Sequence, residues 1–316
     1  MATTPVQGYS VSTVLPVGGS LVVVRQTDDD AVPRLGMFQR MALRNIHRRA
    51  KKARGEPLSS EDWAAWFEME KSRPARAIKW VWGALPSGPR CGICRAPFAG
   101  PGRFVVRPLG FRPSRKNPTI CATCVEASPP GGTTLYTGVL FADLRGFTSR
   151  SETTAAAEVA TLLRRFYGCS ERVLFPEAII DKVVGDQVMA LYLPELQHGL
   201  TREHVPELMV EHAFELLRAV GYGSADGPFV EMGIGLDMGD AFVGNIGERA
   251  VYDFTAVGDV VNTAARLQGE ARSGEILLSD HVAAGLRQPP GTPCEIQLKG
   301  KQHPQPCYRT SVRMTP

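Results

Sequence analysis

The chain has 316 residues, of which 43% are hydrophobic, a composition typical of a globular protein with a sizeable core. The length suggests roughly two domains. The sequence contains no window of about 18 consecutive apolar residues, so no transmembrane helix is expected. The opening residues also lack the charged start and long apolar run of a secretory signal. Together these features predict a cytoplasmic protein.

The charge divides the chain into two unlike parts. Residues 1–130 contain 20 Lys/Arg and 9 Asp/Glu, a net charge of +11, whereas residues 131–316 carry a net charge of −7. Such an asymmetry indicates different tasks or different partners for the two parts.

The basic front part begins with a predicted flexible arm, residues 1–32, followed by a basic and aromatic helical region, residues 33–85. Within it, residues 34–54 hold eight basic side chains and no acidic one, with apolar residues at near-helical spacing. This predicted amphipathic helix could contact an anionic membrane surface, bind nucleic acid or pack against the acidic half. A simple solvated face is the remaining interpretation.

A region rich in Pro, Gly and Arg follows, residues 86–130, and it contains two CxxC pairs. Four thiolates in a tetrahedral array suit Zn²⁺, so we predict a structural zinc site with an iron–sulfur cluster as the alternative. The predicted ligands are Cys91, Cys94, Cys121 and Cys124.

From residue 133 to 316 the sequence alternates strand-like and helical patterns, including predicted hairpins at 178–193 and 229–246. Hairpins interleaved with helices predict an α+β fold, in which helices pack on a mostly antiparallel sheet.

Two aspartates of this part stand where strands end. Asp143 closes the apolar run in "TGVLFADLRGFTSR", and Asp186 lies at the Gly-Asp bend of "IIDKVVGDQVMALYL". If the two strands are neighbours, both carboxylates meet at one edge and suit Mg²⁺. The helix start after Asp143 offers backbone N–H groups for phosphate, from Gly146, Phe147 and Thr148. Taken singly, each aspartate could be only a turn residue or a helix cap.

A second group of polar residues lies in "YDFTAVGDVVNTAARLQGEA". Asn262 and Arg266 are four residues apart, so they share one face of a predicted helix. An amide donor and a guanidinium fork fit stabilisation of charge on phosphorus in a transition state. The alternative interpretation is that Asn262 only caps the helix locally and that Arg266 is a solvated surface residue.

These segments, together with "GLDMGDAFVGNIG", resemble in order and spacing the catalytic domain of class III adenylate/guanylate cyclases, over residues 135 to about 312. The resemblance implies a ferredoxin-like, palm-like fold. It implies that Asp143 and Asp186 bind two Mg²⁺ or Mn²⁺ ions, and that Lys182 and Thr255 select the purine. It also implies transition-state roles for Asn262 and Arg266, and a basic residue for the outer phosphates. That residue is Lys301, with Lys299 as the alternative.

The activity implied is conversion of ATP to 3′,5′-cyclic AMP and pyrophosphate, in a homodimer whose two sites each draw residues from both subunits. ATP is favoured over GTP because Lys182 can donate to adenine N1 and Thr255 can accept from the amino group. Two other interpretations stay open: a guanylate cyclase, and a zinc-finger nucleic-acid-binding or scaffold protein with a nucleotide-sensing cyclase-like domain.

Overall fold

The structure is a computed structural model, and only part of the chain is described in it. The described residues are 11–17, 20–25, 59–61, 63–64, 73–85, 88–114, 119–125, 131–175, 177–197, 199–248 and 251–312. The predicted basic helix at 34–54 therefore lies outside the described residues.

The helices and strands are numbered in chain order. The helices are α1 (Arg73–Ala84), α2 (Gly102–Val106), α3 (Ala122–Val125), α4 (Phe147–Thr153), α5 (Ala156–Leu174), α6 (Val205–Val220), α7 (Asp259–Glu270) and α8 (Asp280–Ala284). The strands are β1 (Val11–Val17), β2 (Ser20–Arg25), β3 (Gly131–Leu144), β4 (Ile179–Val184), β5 (Gln187–Tyr192), β6 (Met232–Glu248), β7 (Val251–Val257), β8 (Glu275–Ser279), β9 (Thr292–Ile296) and β10 (Gln305–Ser311). Among the helices so described, none combines the length and the apolar character needed to cross a membrane.

Eight strands form one sheet, in the order β4-β5-β3-β6-β8-β10-β9, with β7 paired to the far end of β6. Every pairing is antiparallel except that of β6 with β8. The prediction of an α+β fold with a mostly antiparallel sheet is confirmed.

The sheet separates two cores because its central strands are buried on both faces. On one face, α5, α6 and α8 cover an apolar cluster that includes Phe166, Met209 and Val282. Helix α6 fits this position because its apolar residues recur on one side; it then ends at Gly221, which adopts the left-handed conformation that favours glycine. On the opposite face lies α7, which contributes Val260 and Ala264 to the other cluster.

The cysteine-containing region contributes to that second core. Cys91, Cys94 and Ile120 belong to the same buried cluster as Ile179 of β4 and Leu191 of β5. Residues of two predicted domains thus share one core, and a change in the cysteine region will be felt by the edge of the main sheet.

One prediction of local structure was wrong. Residues 229–246 were predicted to form a hairpin, and Gly239 and Asp240 within them have the composition of a turn. Instead β6 runs without a break through both residues, since it pairs with β3 along its length. In the arm predicted for residues 1–32, β1 and β2 form an antiparallel hairpin.

Candidate functional site

The two predicted metal-binding aspartates lie at one edge of the sheet. Asp143 is opposite Gln187 in the β3–β5 pairing, and the N–H of Leu144 donates to the carbonyl of Asp186, at 3.1 Å. Asp186 occupies the bend between β4 and β5 together with Gly185, whose φ of +60° permits the tight turn. The folding of two separate sequence segments therefore brings these carboxylates together, as the sequence predicted.

Asp143 sits in an environment that disfavours its own charge. Its side chain is 20% exposed, and burial together with the neighbouring Asp186 raises its pKa to about 6. Two contacts act in the opposite direction, from Arg145 Nη1 at 3.4 Å and Gln268 Nε2 at 3.2 Å. Two adjacent carboxylates whose repulsion is incompletely offset are a donor set that fits a hard divalent cation.

Gln268 and Arg145 were not predicted from sequence, although both hold Asp143. Gln268 is buried on α7, where its carbonyl accepts a hydrogen bond from Arg145 and its side-chain oxygen accepts one from Gln187, at 3.3 Å. Helix α7 can approach this closely because Gly235 of β6 leaves room: a Cβ there would stand 2.2 Å from the N of Gln268. A glutamine on the predicted amphipathic helix was the sequence signal available for Gln268.

The predicted phosphate cradle lies directly after β3. Gly146 has a φ of +66° and precedes α4, which begins at Phe147 and continues through Thr148. The N–H of Arg145 donates to Glu231 at 2.8 Å, which fixes the start of this turn. The role of the three backbone N–H groups in phosphate binding stays a prediction.

The predicted purine-selecting residues lie on β4 and β7. For Lys182 the described part is the backbone, which pairs with Met189 of β5. Thr255 of β7 is buried, and its hydroxyl donates to Oδ2 of Asp181, at 2.7 Å. Asp181 directly precedes Lys182 and was not predicted; a carboxylate inside the apolar run "IIDKVV" was the signal that could have identified it.

Asn262 and Arg266 lie one turn apart on α7, as predicted. Asn262 is exposed and Arg266 half-buried, with its guanidinium beside the backbone of Gly300. Next to Gly300, Lys301 forms an ion pair with Asp259 at the start of α7, at 2.5 Å between Nζ and Oδ2. Lys299 is exposed. Helix α7 and the β9–β10 loop thus form one surface that carries the guanidinium of Arg266 and the ammonium group of Lys301.

The four cysteines of the CxxC pairs converge, as the sequence predicted. All four Sγ atoms lie within 4.8 Å of one another. The N–H of Cys94 and the N–H of Cys121 both point to Cys91 Sγ, at 3.5 and 3.3 Å. Burial raises the pKa of the Cys91 thiol, but hydrogen bonds from the neighbouring thiols outweigh it and hold the pKa well below its usual range. Four buried sulfurs with backbone donors fit a tetrahedral metal site.

Another cysteine pair was missed, because the sequence offered no partner for Cys294 or Cys307. The two residues are opposite each other on β9 and β10, with their Sγ atoms 3.0 Å apart. Both are unoxidised, like the other cysteines of the described chain.

Comparison with known proteins gives a consistent result. Residues 134–308 match the family described as "Adenylate and Guanylate cyclase catalytic domain". The chain is similar to an adenylate cyclase of Anabaena cylindrica, with 29% identity over 186 residues that make up 55% of this chain and 36% of that protein. It is also similar to an uncharacterized protein of Mycobacterium tuberculosis, with 30% identity over 54% of this chain and 29% of the relative. The chain thus spans about a third of the length of these relatives.

Among solved structures, the guanylyl cyclase Cya2 is similar at 26% identity, with a TM-score of 0.50 over 58% of this chain and 100% of that chain. The family match covers more than half of the sequence and includes β3 to β10 almost entirely. The chain therefore belongs to the adenylate and guanylate cyclase catalytic domain family.

Proposed function

We propose that this protein is an adenylate cyclase that converts ATP to 3′,5′-cyclic AMP and pyrophosphate in a homodimer with two shared sites. The observation that carries the proposal is the pair Asp143 and Asp186 at one edge of the sheet, joined through the Leu144–Asp186 hydrogen bond. The register of β3 with β5 places Asp143 opposite Gln187, which directly follows Asp186.

Asp143 and Asp186 are the residues that would hold two divalent cations, Mg²⁺ or Mn²⁺. When bound, these ions would activate the ribose 3′-hydroxyl and neutralise the charge of the triphosphate. The raised pKa of Asp143 supports this assignment, because a nearby positive charge would relieve the repulsion between the two carboxylates.

Arg266 binds oxygens of the α-phosphate and stabilises the charge that develops there, while Asn262 orients the ribose. Lys301 contacts the outer phosphates; its ion pair with Asp259 keeps it close to Arg266 until substrate arrives. The exposure of Asn262 supports a role toward a ligand held between two subunits rather than toward the interior of its own chain.

ATP is the proposed substrate because Lys182 and Thr255 match the adenine edge. Lysine donates to N1, and a threonine hydroxyl can accept from the 6-amino group. Guanine presents the reverse pattern at both positions. The similarity to a guanylyl cyclase makes GTP the competitor that an assay must include.

The four-cysteine cluster is proposed to hold one structural Zn²⁺. Its four sulfurs are buried in the core next to β4 and β5. Four protein ligands around one zinc ion are typical of a structural site, whereas a catalytic zinc site keeps one position open for water or substrate. The ion would therefore stabilise the edge of the sheet that carries the purine-selecting strand.

The test is the purified 316-residue chain incubated with ATP or GTP and with Mg²⁺ or Mn²⁺, followed by quantification of cyclic nucleotide and pyrophosphate. We expect cyclic AMP and pyrophosphate in equal amounts, and loss of at least about a hundredfold in the Arg266→Ala variant. Arg272→Ala, two residues beyond the end of α7, is the matched control and should retain activity. If the wild type releases phosphate without cyclising, or prefers GTP, the adenylate cyclase proposal is wrong.

A further inference from the structure

The hydrogen bond between Thr255 and Asp181 is a contact that the proposed reaction does not by itself require. The Oγ1–Oδ2 distance is 2.7 Å, and each residue is only 4% exposed. The two residues are 74 positions apart in sequence. Strands β5, β3 and β6 separate β4 from β7 in the sheet order. The contact therefore exists because the β6–β7 hairpin curves back over the face of the sheet, where Phe254 joins the same core cluster as Ile179.

The local backbone of β4 is irregular at this point. Ile180 pairs with Ala190 and Lys182 with Met189, so Asp181 is the extra residue of a bulge. A bulge interrupts the strict alternation of side chains between the two faces of a strand. It can therefore turn one side chain toward the other face. Here the redirected residue is the carboxylate that meets Thr255.

The bond determines what the Thr255 hydroxyl can do. A hydroxyl has one hydrogen to donate and two lone pairs to accept with, whereas an ionised carboxylate can only accept. Thr255 donates this hydrogen to Asp181, over a distance typical of an O–H···O hydrogen bond. The alternative acceptor, the carbonyl of Ala256, is 3.5 Å away and competes poorly. The remaining capacity of the hydroxyl is that of an acceptor.

We propose that Asp181 is a positioning residue for base selection, because it fixes the Thr255 hydroxyl as a hydrogen-bond acceptor. This inference rests on the proposed function, in which Thr255 meets position 6 of the purine. An acceptor pairs with the 6-amino group of adenine and opposes the 6-oxo group of guanine. Without Asp181 the hydroxyl would rotate and could serve either base.

The test uses the Asp181→Asn variant of the whole 316-residue chain, a substitution that keeps the size of the side chain. Its amide can donate to the Thr255 oxygen, which frees the hydroxyl hydrogen to point at the base. We expect the ratio of kcat/KM for ATP to that for GTP to fall by roughly tenfold to hundredfold, with the value for GTP rising. Purine riboside triphosphate, which lacks the 6-amino group, should become nearly as good a substrate as ATP.

Two further variants separate positioning from a merely structural role. Asp253→Asn makes the same chemical change on β7, two residues before Thr255, and should leave the selectivity unchanged. In a Thr255→Val background, Asp181→Asn should have no additional effect on the ATP:GTP ratio, because the hydroxyl that it orients is gone. Thermal unfolding of each variant shows whether it is folded.

A binding measurement keeps this inference distinct from the proposed function. Displacement of a fluorescent ATP analogue by ATP and by GTP gives a selectivity that needs no turnover. Wild-type protein that prefers ATP in binding but forms no cyclic AMP refutes the proposed function alone, and loss of that preference in Asp181→Asn still supports the inference. If Asp181→Asn lowers ATP and GTP usage equally, or if wild type binds both alike, Asp181 does not select the base.

Discussion

Gln268 donates a hydrogen bond from Nε2 to Oδ2 of Asp143, at 3.2 Å, and so connects α7 to the carboxylate edge of the sheet. The same helix carries Asn262 and Arg266, which precede Gln268 by six and two residues. In the proposed homodimer these two residues serve the other site of the pair. Under that proposal α7 would contribute to both sites, and Gln268 is its contact with Asp143.

Removing the Gln268 amide should weaken divalent cation binding. In Gln268→Ala, Asp143 loses a donor that favours its charged form, and we expect the Mn²⁺ concentration for half-maximal activity to rise about tenfold. The KM for ATP at saturating Mn²⁺ should change much less. The measurement is a metal titration of cyclic AMP formation at fixed ATP.

Glu270→Ala is the matched control for that titration, because it is an exposed position on the same helix. It should behave as wild type. An unchanged Mn²⁺ requirement in Gln268→Ala, with the protein still folded, would show that the hydrogen bond has no bearing on the ions.

Whether a site residue could be predicted depends on how far along the sequence its interaction partner lies. The positions of Asp143 and Asp186 were predictable because each stands at the end of its own strand, and strand ends are marked locally by apolar runs and glycine. Gln268 and Asp181 were not, because their partners are 125 and 74 residues away. A carboxylate inside an apolar run marks Asp181 as unusual, but the distant partner of such a residue cannot be read from the local sequence.

The continuous strand β6 shows how tertiary context overrides a local signal. Gly239 and Asp240 have the composition of a turn, yet each lies opposite a residue of β3, Thr137 and Tyr136 respectively. A long partner strand supplies hydrogen bonds on either side of these residues and keeps the chain extended. The register with β3, which decides the outcome, cannot be read from residues 229–246 alone.

Mixing two inactive variants should restore activity if each site is shared between subunits. Asp143→Ala removes the metal-binding side of both sites in its homodimer, and Asn262→Ala removes the opposite side. A heterodimer of the two retains one intact site, so an equimolar mixture should recover up to about a quarter of wild-type activity. Cyclic AMP formation before and after mixing measures this.

Two tags, one on each variant, are needed to show that subunits exchange. Recovered activity should purify with both tags. Heterodimers that carry both tags but form no cyclic AMP would mean that each chain contains its own complete site, contrary to the shared-site proposal.

Metal removal should destabilise the whole cyclase fold and not only the cysteine region. Cys121 and Cys94 share a core with Ile179 and Leu191, so loss of the proposed ion should loosen the β4–β5 edge. We expect one zinc per chain by elemental analysis, and a Tm about 10 °C lower in Cys121→Ser or after chelation, since each kcal/mol moves the Tm by about 2–4 °C.

Cys294→Ser provides the comparison for that experiment, because Cys294 is half-buried and lies outside the four-cysteine cluster. It should keep the zinc content of wild type. Visible absorption of the purified protein tests the iron–sulfur alternative. A well-folded wild-type protein with four freely titrating thiols and no metal would refute the site.

His212 predicts a loss of stability at mildly acidic pH. It is buried on α6, with Nδ1 2.9 Å from the hydroxyl of Tyr192, and burial lowers its pKa to about 4. Below the ordinary histidine pKa of about 6.5, His212 binds a proton in the unfolded chain but stays neutral in the folded protein. The free energy of unfolding therefore falls as the pH drops from 6.5 toward 4. Between pH 7 and pH 5 this costs about 2 kcal/mol. Urea unfolding at pH 7 and pH 5 should show this loss of stability in the wild type and not in His212→Asn. A His204→Asn variant, changed at an exposed position, should lose as much stability as the wild type. An equal loss in all three proteins would assign the acid sensitivity to other groups.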